Sequence, residues 1–279
     1  MAVASSELPS FDLIVATVDR VEQLERLFAS LDRQTHRRFR LLLVDQNEDD
    51  RLDRLLRSHS SLDVEQLRSA RGLSRARNVA LSRVGADLVA FPDDDCTYPP
   101  DLLERVARRF AEDASLDGLT GRAVDDSGHS SASWEHAAAR LTRDNLWNRA
   151  ISFTIFLRSP VLETVGAFDE QLGLGSQMPW SSGEEIEYLV RAVDAGNRIE
   201  YDPELVVLHD EKVSPGTVGG RDGASIGYIL RKHGYPIATV GKMLIRPLGG
   251  AFFALARGDR ERAAFHVATL RGRVRGYRS

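Results

Sequence analysis

The sequence predicts an α/β domain built on a mainly parallel central sheet flanked by helices. Three observations carry that expectation. Short apolar runs alternate with stretches of helical spacing, as in "FDLIVATV" followed by Val21, Leu24, Leu27, Phe28 and Leu31. The runs are predominantly apolar, as strands covered on both faces are. Two of them, "FRLLLVD" and "LVAFPDDD", end in aspartate, and ligands of such sheets gather beyond the carboxyl ends of the strands.

The elements follow in order. Residues 11–18 form the first predicted strand and "RVEQLERLFASLDRQ" the helix after it. Residues 39–45 form the second strand; "QNEDD" then leads to a short helix around 52–59. "LDVEQLR" is a weaker strand, "LSRARNVALSRV" a helix, "DLVAF" a strand and "PDLLERVARRF" a helix opened by two prolines. "DGLTGRAV" and "ISFTIFLR" are strands separated by a Ser/Gly-rich loop over 127–133. "SPVLETVG" is a short helix, with Ser159 as its cap and Pro160 at its first position. "GLGSQMPWSSG" is a loop, "EEIEYLVRAVDAG" a helix stopped by Gly196, and "NRIEYDPELVVLHD" a strand. "KVSPGTVGGRDG", with four glycines and a proline, is expected to be a mobile loop. The chain from Ser225 onward is expected to be helical.

The 279 residues, 42% hydrophobic and 28% charged, have the composition of an ordinary soluble globular protein. The single cysteine, Cys96, excludes an intramolecular disulfide and a cysteine-cluster metal site, and it points to a reducing, cytosolic location. "MAVASSELPS" has neither a basic nor an apolar leader region, so no signal peptide is expected. Charge is uneven. Residues 231–279 hold eleven Lys/Arg against two Asp/Glu, +9, which leaves −13 on the first 230 residues of a chain of net charge −4. A basic tail implies an anionic partner, and an anionic membrane surface fits. Nucleic acid is not expected, since few aromatics interleave the tail arginines and the body is acidic. The apolar stretch "YPIATVGKMLIRPLGGAFFALA" is interrupted by Lys242, Arg246 and Pro247. It reads as an in-plane amphipathic segment better than as a bilayer span, with a helical pair packed on the sheet as the alternative.

Chemistry concentrates in two acidic clusters. Asp93, Asp94 and Asp95 follow a buried strand, where one carboxylate would suffice to cap the next helix. Three adjacent carboxylates repel unless a cation sits among them or a proton is held. A D-x-D arrangement suits Mg²⁺ or Mn²⁺, which bind through one or two carboxylates plus phosphate oxygens. Glu184 and Glu185 open a helix after an aromatic, glycine-rich loop containing Trp180 and Gly183. There they either favour the helix N-terminus or place a general base beside a substrate hydroxyl. His209 closes a strand and is either satisfied by a neighbour or completes a metal shell. Asp19 and Asp45 are turn residues or nucleoside contacts, and Arg77 and Asn78 are equally readable as surface residues of a helix.

Taken in order, "LIVATVDR", "LLLVDQN", "GLSRARNVAL", "LVAFPDDDC", "VGAFDEQLG", "GEEIEYLVRAVDAG" and "VVLHD" resemble the family 2 glycosyltransferases, over roughly residues 11–210. The resemblance implies a GT-A fold and inverting transfer of a sugar from a nucleotide-diphosphate-sugar to an acceptor hydroxyl, in cell-surface polysaccharide or glycolipid synthesis. It implies UDP-sugar as donor, with GDP- and dTDP-sugars as alternatives, and a saccharide or lipid-linked acceptor. Asp45 would meet the base; Thr17, Asp19, Arg77, Asn78, Asp93 and Asp94 would line the nucleotide-sugar. Asp95, with Asp93 and His209, would hold Mn²⁺ or Mg²⁺. Glu185 falls at the family's catalytic base, with Glu184 beside it, and Trp180 and Gly183 would meet the acceptor. Glu185 stands where aspartate is more usual and Gln46 where many relatives have a second aspartate, so the base role stays open between Glu184 and Glu185. The implied organisation is a disordered terminus over 1–10 and a catalytic domain over 11–222. The domain would have a nucleotide-sugar half over 11–125 and an acceptor half over 126–222, followed by a helical extension over 223–279. The location would be cytoplasmic, peripheral on the inner face of the membrane. The rivals are a sugar nucleotidyltransferase, whose glycine-rich phosphate loop is not seen in "VATVDRVEQLER", and a non-catalytic nucleotide-sugar binder.

Overall fold

Strand β1 (Phe11–Thr17), helix α1 (Val21–Leu31), strand β2 (Phe39–Asp45), helix α2 (Asp53–Ser58) and strand β3 (Val64–Arg68) alternate as the apolar periodicity predicts. Helix α3 (Leu73–Leu81), strands β4 (Leu88–Ala90) and β5 (Cys96–Thr97), helix α4 (Leu102–Glu112) and strands β6 (Gly118–Val124) and β7 (Ala139–Arg140) follow. Strand β8 (Ile155–Arg158), helices α5 (Ser159–Val165) and α6 (Glu184–Asp194), strand β9 (Ile199–His209) and helices α7 (Gly216–Lys232), α8 (Ile237–Ala256) and α9 (Arg260–Arg278) complete the chain. This computed structural model describes residues 7–130, 133–209 and 216–279.

Two units divide the described residues. One takes those of Met1–Arg71, Arg75–Ala167 and Tyr188–Glu211; the other takes those of Gly72–Ser74, Phe168–Glu187 and Lys212–Ser279. The first unit holds the nine-stranded sheet, in the order β3-β2-β1-β4-β8-β6-β9-β5 with β7 beside β9. The chain runs outward from β1 through β2 to β3, then returns to the other side of β1 as β4, which makes the gap between β1 and β4 a topological switch point. The pairings β1–β2, β2–β3, β1–β4 and β6–β9 are parallel. Strand β8 runs antiparallel to both its neighbours, and β5 and β7 run antiparallel to β9. The sheet is thus parallel in its first part and mixed beyond β4.

Both sheet faces are buried. Leu13, Val15, Leu41, Leu43 and Leu88 join Leu24, Leu27 and Phe28 of α1 and Leu103, Val106 and Phe110 of α4 in one apolar core. Ile14, Leu42, Val44 and Val89, alternating with them, are equally buried. Two local expectations are corrected. Ser159 does not cap α5: its hydroxyl donates to the Ala86 carbonyl and ties the helix start to the approach to β4. The strand expected over "ISFTIFLR" begins only at Ile155, because residues 152–154 make a 3₁₀ turn. Residues 1–6 of the amino terminus lie outside the described residues, while Ser10 is held by its N–H and hydroxyl to Asp87, at 2.8 and 2.7 Å.

The glycine-rich loop expected over 212–223 is helical from Gly216 onward; residues 212–215 lie outside the described residues. Tertiary packing overrides the glycines' poor helix propensity. Gly219, Gly223 and Gly227 recur every four residues on α7 and face α9. A Cβ on Gly223 would overlap the Thr269 carbonyl, and one on Gly276 the Ala224 carbonyl. Small residues at this spacing let two helix backbones approach closely. Gly223→Ala is therefore expected to destabilise the second unit by about 1–3 kcal/mol through overpacking. Gly241 of α8 has nothing within 4 Å of a Cβ position, and Gly241→Ala is expected to stabilise by up to about 1 kcal/mol. Chemical denaturation of the two variants checks this opposition of sign.

Helix α8 buries Val240, Met243, Pro247, Ala251 and Ala254 along one stripe. Among the described residues it is the one helix long and apolar enough to cross a membrane.

Candidate active site

Parallel register brings the carboxyl ends of β1 and β2 level, with Thr17 beside Asp45. Asp45 is fully buried. It accepts from the Asn47 N–H and side-chain amide at 2.9 and 2.7 Å and from Gln66 at 2.9 Å, with Arg68 at 3.0 Å. Gln66 and Arg68 reach it from the end of β3, two residues apart on one face of the strand. Asp19 has a φ of 59°, a left-handed conformation that Asp tolerates. Its N–H donates to Asn47 at 2.8 Å, and its carboxylate pairs with Arg51 and Arg71 at 2.6 and 2.8 Å.

The aspartate triplet sits at the switch point, and each carboxylate has its own partners. Asp93 accepts from Arg77 and from the Ser152 hydroxyl, both at 3.1 Å. Asp94 accepts from the Thr17 hydroxyl at 2.7 Å and from Arg20 at 2.9 Å. Asp95 is bridged by the same Arg20 at 2.6 Å and meets His209 Nε2 at 3.2 Å. That last contact follows from topology: β5 starts right after Asp95 and pairs Cys96 with His209. The His209 ring stacks on Phe153, 4.8 Å between centroids and 7° between planes. Burial raises the Asp94 carboxyl above its ordinary value, against the opposing pull of Thr17 and Arg20. Burial, with Asp93 adding to it, pushes the thiol of the fully buried Cys96 well up.

Arg20 and Arg77 thus bring positive charge to the triplet. Among the described residues no three His, Cys, Asp or Glu side chains gather into a metal cage. Asp95 and His209 nonetheless supply one carboxylate and one imidazole side by side. That donor set fits Mg²⁺ or Mn²⁺ when phosphate oxygens and water fill the remaining positions.

The second unit carries the glutamates. Gly183, at φ 76°, turns the chain into α6 in a conformation that favours glycine. Glu184 is buried, 4% exposed, and its Oε2 lies 3.4 Å from where a Cβ on Gly173 would sit. Glu185 is half-buried. Glu187 is fully buried and pairs with Lys232 at 2.8 Å and His233 at 3.0 Å. Lys232 also holds Asp169 at 2.8 Å, and Tyr228 donates to Asp169 at 3.2 Å. Burial lowers the Lys232 ammonium pKa, but Asp169 and Glu187 outweigh it and the net direction is upward. Trp180 stacks on Tyr228 at 4.9 Å, with its indole N–H unpartnered. Ser182, just before Gly183, bonds Asp222 and Ser225 at 2.9 and 2.8 Å.

The structure thus brings together Thr17, Asp94, Asp95 and His209; it sets Asp93 with Arg77, and Asp45 and Asp19 around Asn47. Asn78 lies in α3, one residue beyond Arg77. Sequence reasoning missed Arg20, Asn47, Gln66, Arg68, Ser152 and Phe153. Arg20 had a signal, as the first cation after an apolar strand; the period-2 pair Gln66/Arg68 had a weaker one; Ser152 had none.

A parallel βαβ half with acidic strand ends at its switch point, continued by a mixed sheet, is the architecture of the GT-A class. The model described as "Glycosyl transferase family 2" matches residues 12–165, and the chain belongs to that family. Over 212 residues it is 26% identical to the pre-mycofactocin glycosyltransferase of Mycobacterium tuberculosis, covering 72% of this chain and 42% of that protein. The chain therefore spans less than half of that relative. Over 217 residues it is 23% identical to glycosyltransferase AglE of Haloferax volcanii, covering 74% and 68% of the two chains. Among solved structures, the mannosyltransferase PcManGT of Pyrobaculum calidifontis, in complex with GDP-Man and Mn²⁺, superposes with a TM-score of 0.71 at 15% identity, over 97% of this chain and 88% of that one. S. aureus TarS 1-349 in complex with UDP-GlcNAc gives 0.58 at 17% identity, over 93% and 90%. At such identities the likeness is one of fold.

Proposed function

We propose that the chain is an inverting glycosyltransferase that moves a sugar from a nucleotide-diphosphate-sugar to an acceptor hydroxyl. The observation that carries the reading is the meeting of Asp95, His209, Asp94 and Thr17 around Arg20 at the switch point. Asp45, buried and fixed by Asn47, Gln66 and Arg68, presents a rigid polar floor for the base. Thr17, Asp19, Arg77, Asn78, Asp93 and Asp94 line the nucleotide-sugar. Asp95 and His209, with Asp93, would hold Mn²⁺ or Mg²⁺, which would supply positive charge to the departing diphosphate. Glu185 takes the proton of the acceptor hydroxyl as its oxygen bonds the anomeric carbon, and the nucleoside diphosphate leaves with the bonding electron pair. Burial of Glu184 favours the supporting role for it and leaves the more accessible Glu185 as base. Trp180 and Gly183 shape the acceptor side.

The donor proposed first is a UDP-sugar, with GDP- and dTDP-sugars next. GDP-Man and UDP-GlcNAc, bound to the two structural neighbours, support that class. The acceptor is a saccharide or a lipid-linked saccharide of cell-surface polysaccharide or glycolipid synthesis. The place is the cytoplasm, at the inner face of a membrane. A panel of nucleotide-sugars with Mn²⁺ or Mg²⁺, read by thermal shift and by donor hydrolysis, tests this. One nucleotide class is expected to raise the melting temperature only with metal present, and Asp95→Asn is expected to weaken that metal-dependent binding at least about tenfold. Equal binding of the diphosphate after chelation would overturn the metal role.

A further inference from the structure

Helices α7, α8 and α9 enclose a cavity of about 550 Å³ that the transfer chemistry does not use. Its lining is mainly apolar, with Ile226, Pro247, Phe253 and Phe265, and carries two cations, Arg246 and Arg273. Arg273 is only 8% exposed. One of its terminal nitrogens donates to the Met243 carbonyl, and its Nε has no partner. Among the described residues no carboxylate pairs with it. Burial and the neighbouring Arg246 bring its pKa down to about 10, so it remains a cation at neutral pH. An uncompensated buried charge is costly. Asp222 lines the same cavity, but its carboxylate is engaged by Ser182 and Arg221 at 2.9 and 3.0 Å. His266 is held below its usual range by burial and by Arg262 and Arg273, and enters as a neutral imidazole. The cavity therefore offers an anion two cations within an apolar lining.

The outer surface of α8 says which anion. Ile245, Leu248, Phe252 and Leu255 recur at three- and four-residue spacing, and each is at least half exposed. In the apolar window of α8 only 28% is buried, unlike the core helix of a globular domain. Arg246 follows Ile245 on the side of α8 that lines the cavity, and Arg257 and Arg260 follow at the exposed turn into α9. A free metabolite would need the arginines and not the stripe.

We infer that the α7–α8–α9 cavity binds the phosphate of an anionic lipid through Arg246 and Arg273, with the outward stripe of α8 lying in the acyl layer of the same bilayer. This rests on the membrane-surface reading and not on the donor chemistry. The test is flotation of the full chain with vesicles of phosphatidylcholine alone and of phosphatidylcholine with phosphatidylglycerol, without donor. Binding is expected only with the anionic lipid. Arg246→Gln, whose side chain is exposed and whose fold is checked by melting temperature, is expected to lower it about tenfold or more. Arg260→Gln serves as the control, because one surface arginine contributes roughly fivefold through the leaflet potential. Arg273→Gln is expected to match Arg246→Gln, and Phe252→Ser with Leu255→Ser to abolish binding.

Equal binding to neutral vesicles would overturn the phosphate site while sparing the membrane reading; absence of binding to either vesicle would overturn both. A loss in Arg246→Gln no larger than in Arg260→Gln would reduce the site to diffuse charge and overturn it. Stabilisation by inorganic phosphate that needs Arg246, in a chain that floats with no vesicle, would assign the cavity to a soluble anion and overturn the lipid.

Discussion

Glu185→Gln is expected to lower turnover by about 10²–10⁴-fold, the range that a positioned general base contributes, while leaving donor affinity unchanged. The substitution keeps size and hydrogen-bonding capacity and removes only the basic oxygen. A base acts on the acceptor proton, so the loss belongs in kcat for transfer and not in the thermal shift produced by the nucleotide. Its signature is the pH profile: the acid limb of kcat, which reports deprotonation of the base, should vanish in Glu185→Gln. Glu185→Asp, which restores the residue more usual in the family, should recover part of the rate. Glu184 answers differently. Its carboxylate is buried near Gly173 and Ser74, so Glu184→Gln should lower melting temperature as well as rate. If Glu185→Gln turned over at the native rate and Glu184→Gln alone removed the acid limb, the two roles would have to be exchanged.

The parts of this protein that were legible in its sequence are those governed by local rules. Apolar runs ending in Asp45 and Asp93 marked strand ends, and strand ends are where the fold gathers its polar groups. Gly196 stopped α6 as a left-handed cap, at φ 91°. What could not be read depends on residues far apart in the chain. The triplet looked like three charges awaiting a metal because Arg20, 74 residues from Asp94, was not visible as their partner. Lys232 was an ordinary tail cation until the fold set it between Asp169 and Glu187. The same holds for α7. Local propensity makes Gly219 and Gly223 a loop; only the face of α9 turns the missing side chains into close packing. Antiparallel β8 was hidden for a related reason, since a four-residue apolar strand carries no mark of its direction.

Asp12→Ala is expected to cost about 3 kcal/mol of stability at neutral pH, more than any surface ion pair here would return. Asp12 lies at the start of β1 and is fully buried. It accepts from Arg40 Nε at 2.5 Å and Nη2 at 3.2 Å, and from the N–H groups of Gly85 and Ala86 at 2.7 and 3.0 Å. One carboxylate therefore ties β1 to β2 and to the turn that delivers β4, the strand that leads into the aspartate triplet. Truncation leaves the Arg40 Nε and the half-buried Ala86 amide without this acceptor, while Arg40 keeps Glu65 and the Arg83 carbonyl and the exposed Gly85 amide regains water. The direction with pH follows from the carboxyl itself. Burial acts to raise its pKa, but Arg40 and the two amides outweigh it and hold the carboxyl below the ordinary 3.8. A folded pKa below the unfolded one means that the stabilisation is present above the unfolded value and is lost as pH falls through the folded value. Urea unfolding of the native chain and of Asp12→Ala should therefore differ most near neutrality and converge in acid below the ordinary carboxylate range. Asp12→Asn should fall between them, because its amide oxygen can still accept from the turn while its NH₂ faces Arg40. A constant gap between native and Asp12→Ala across that acid range would show that packing, and not the ionised carboxylate, holds β1 in place.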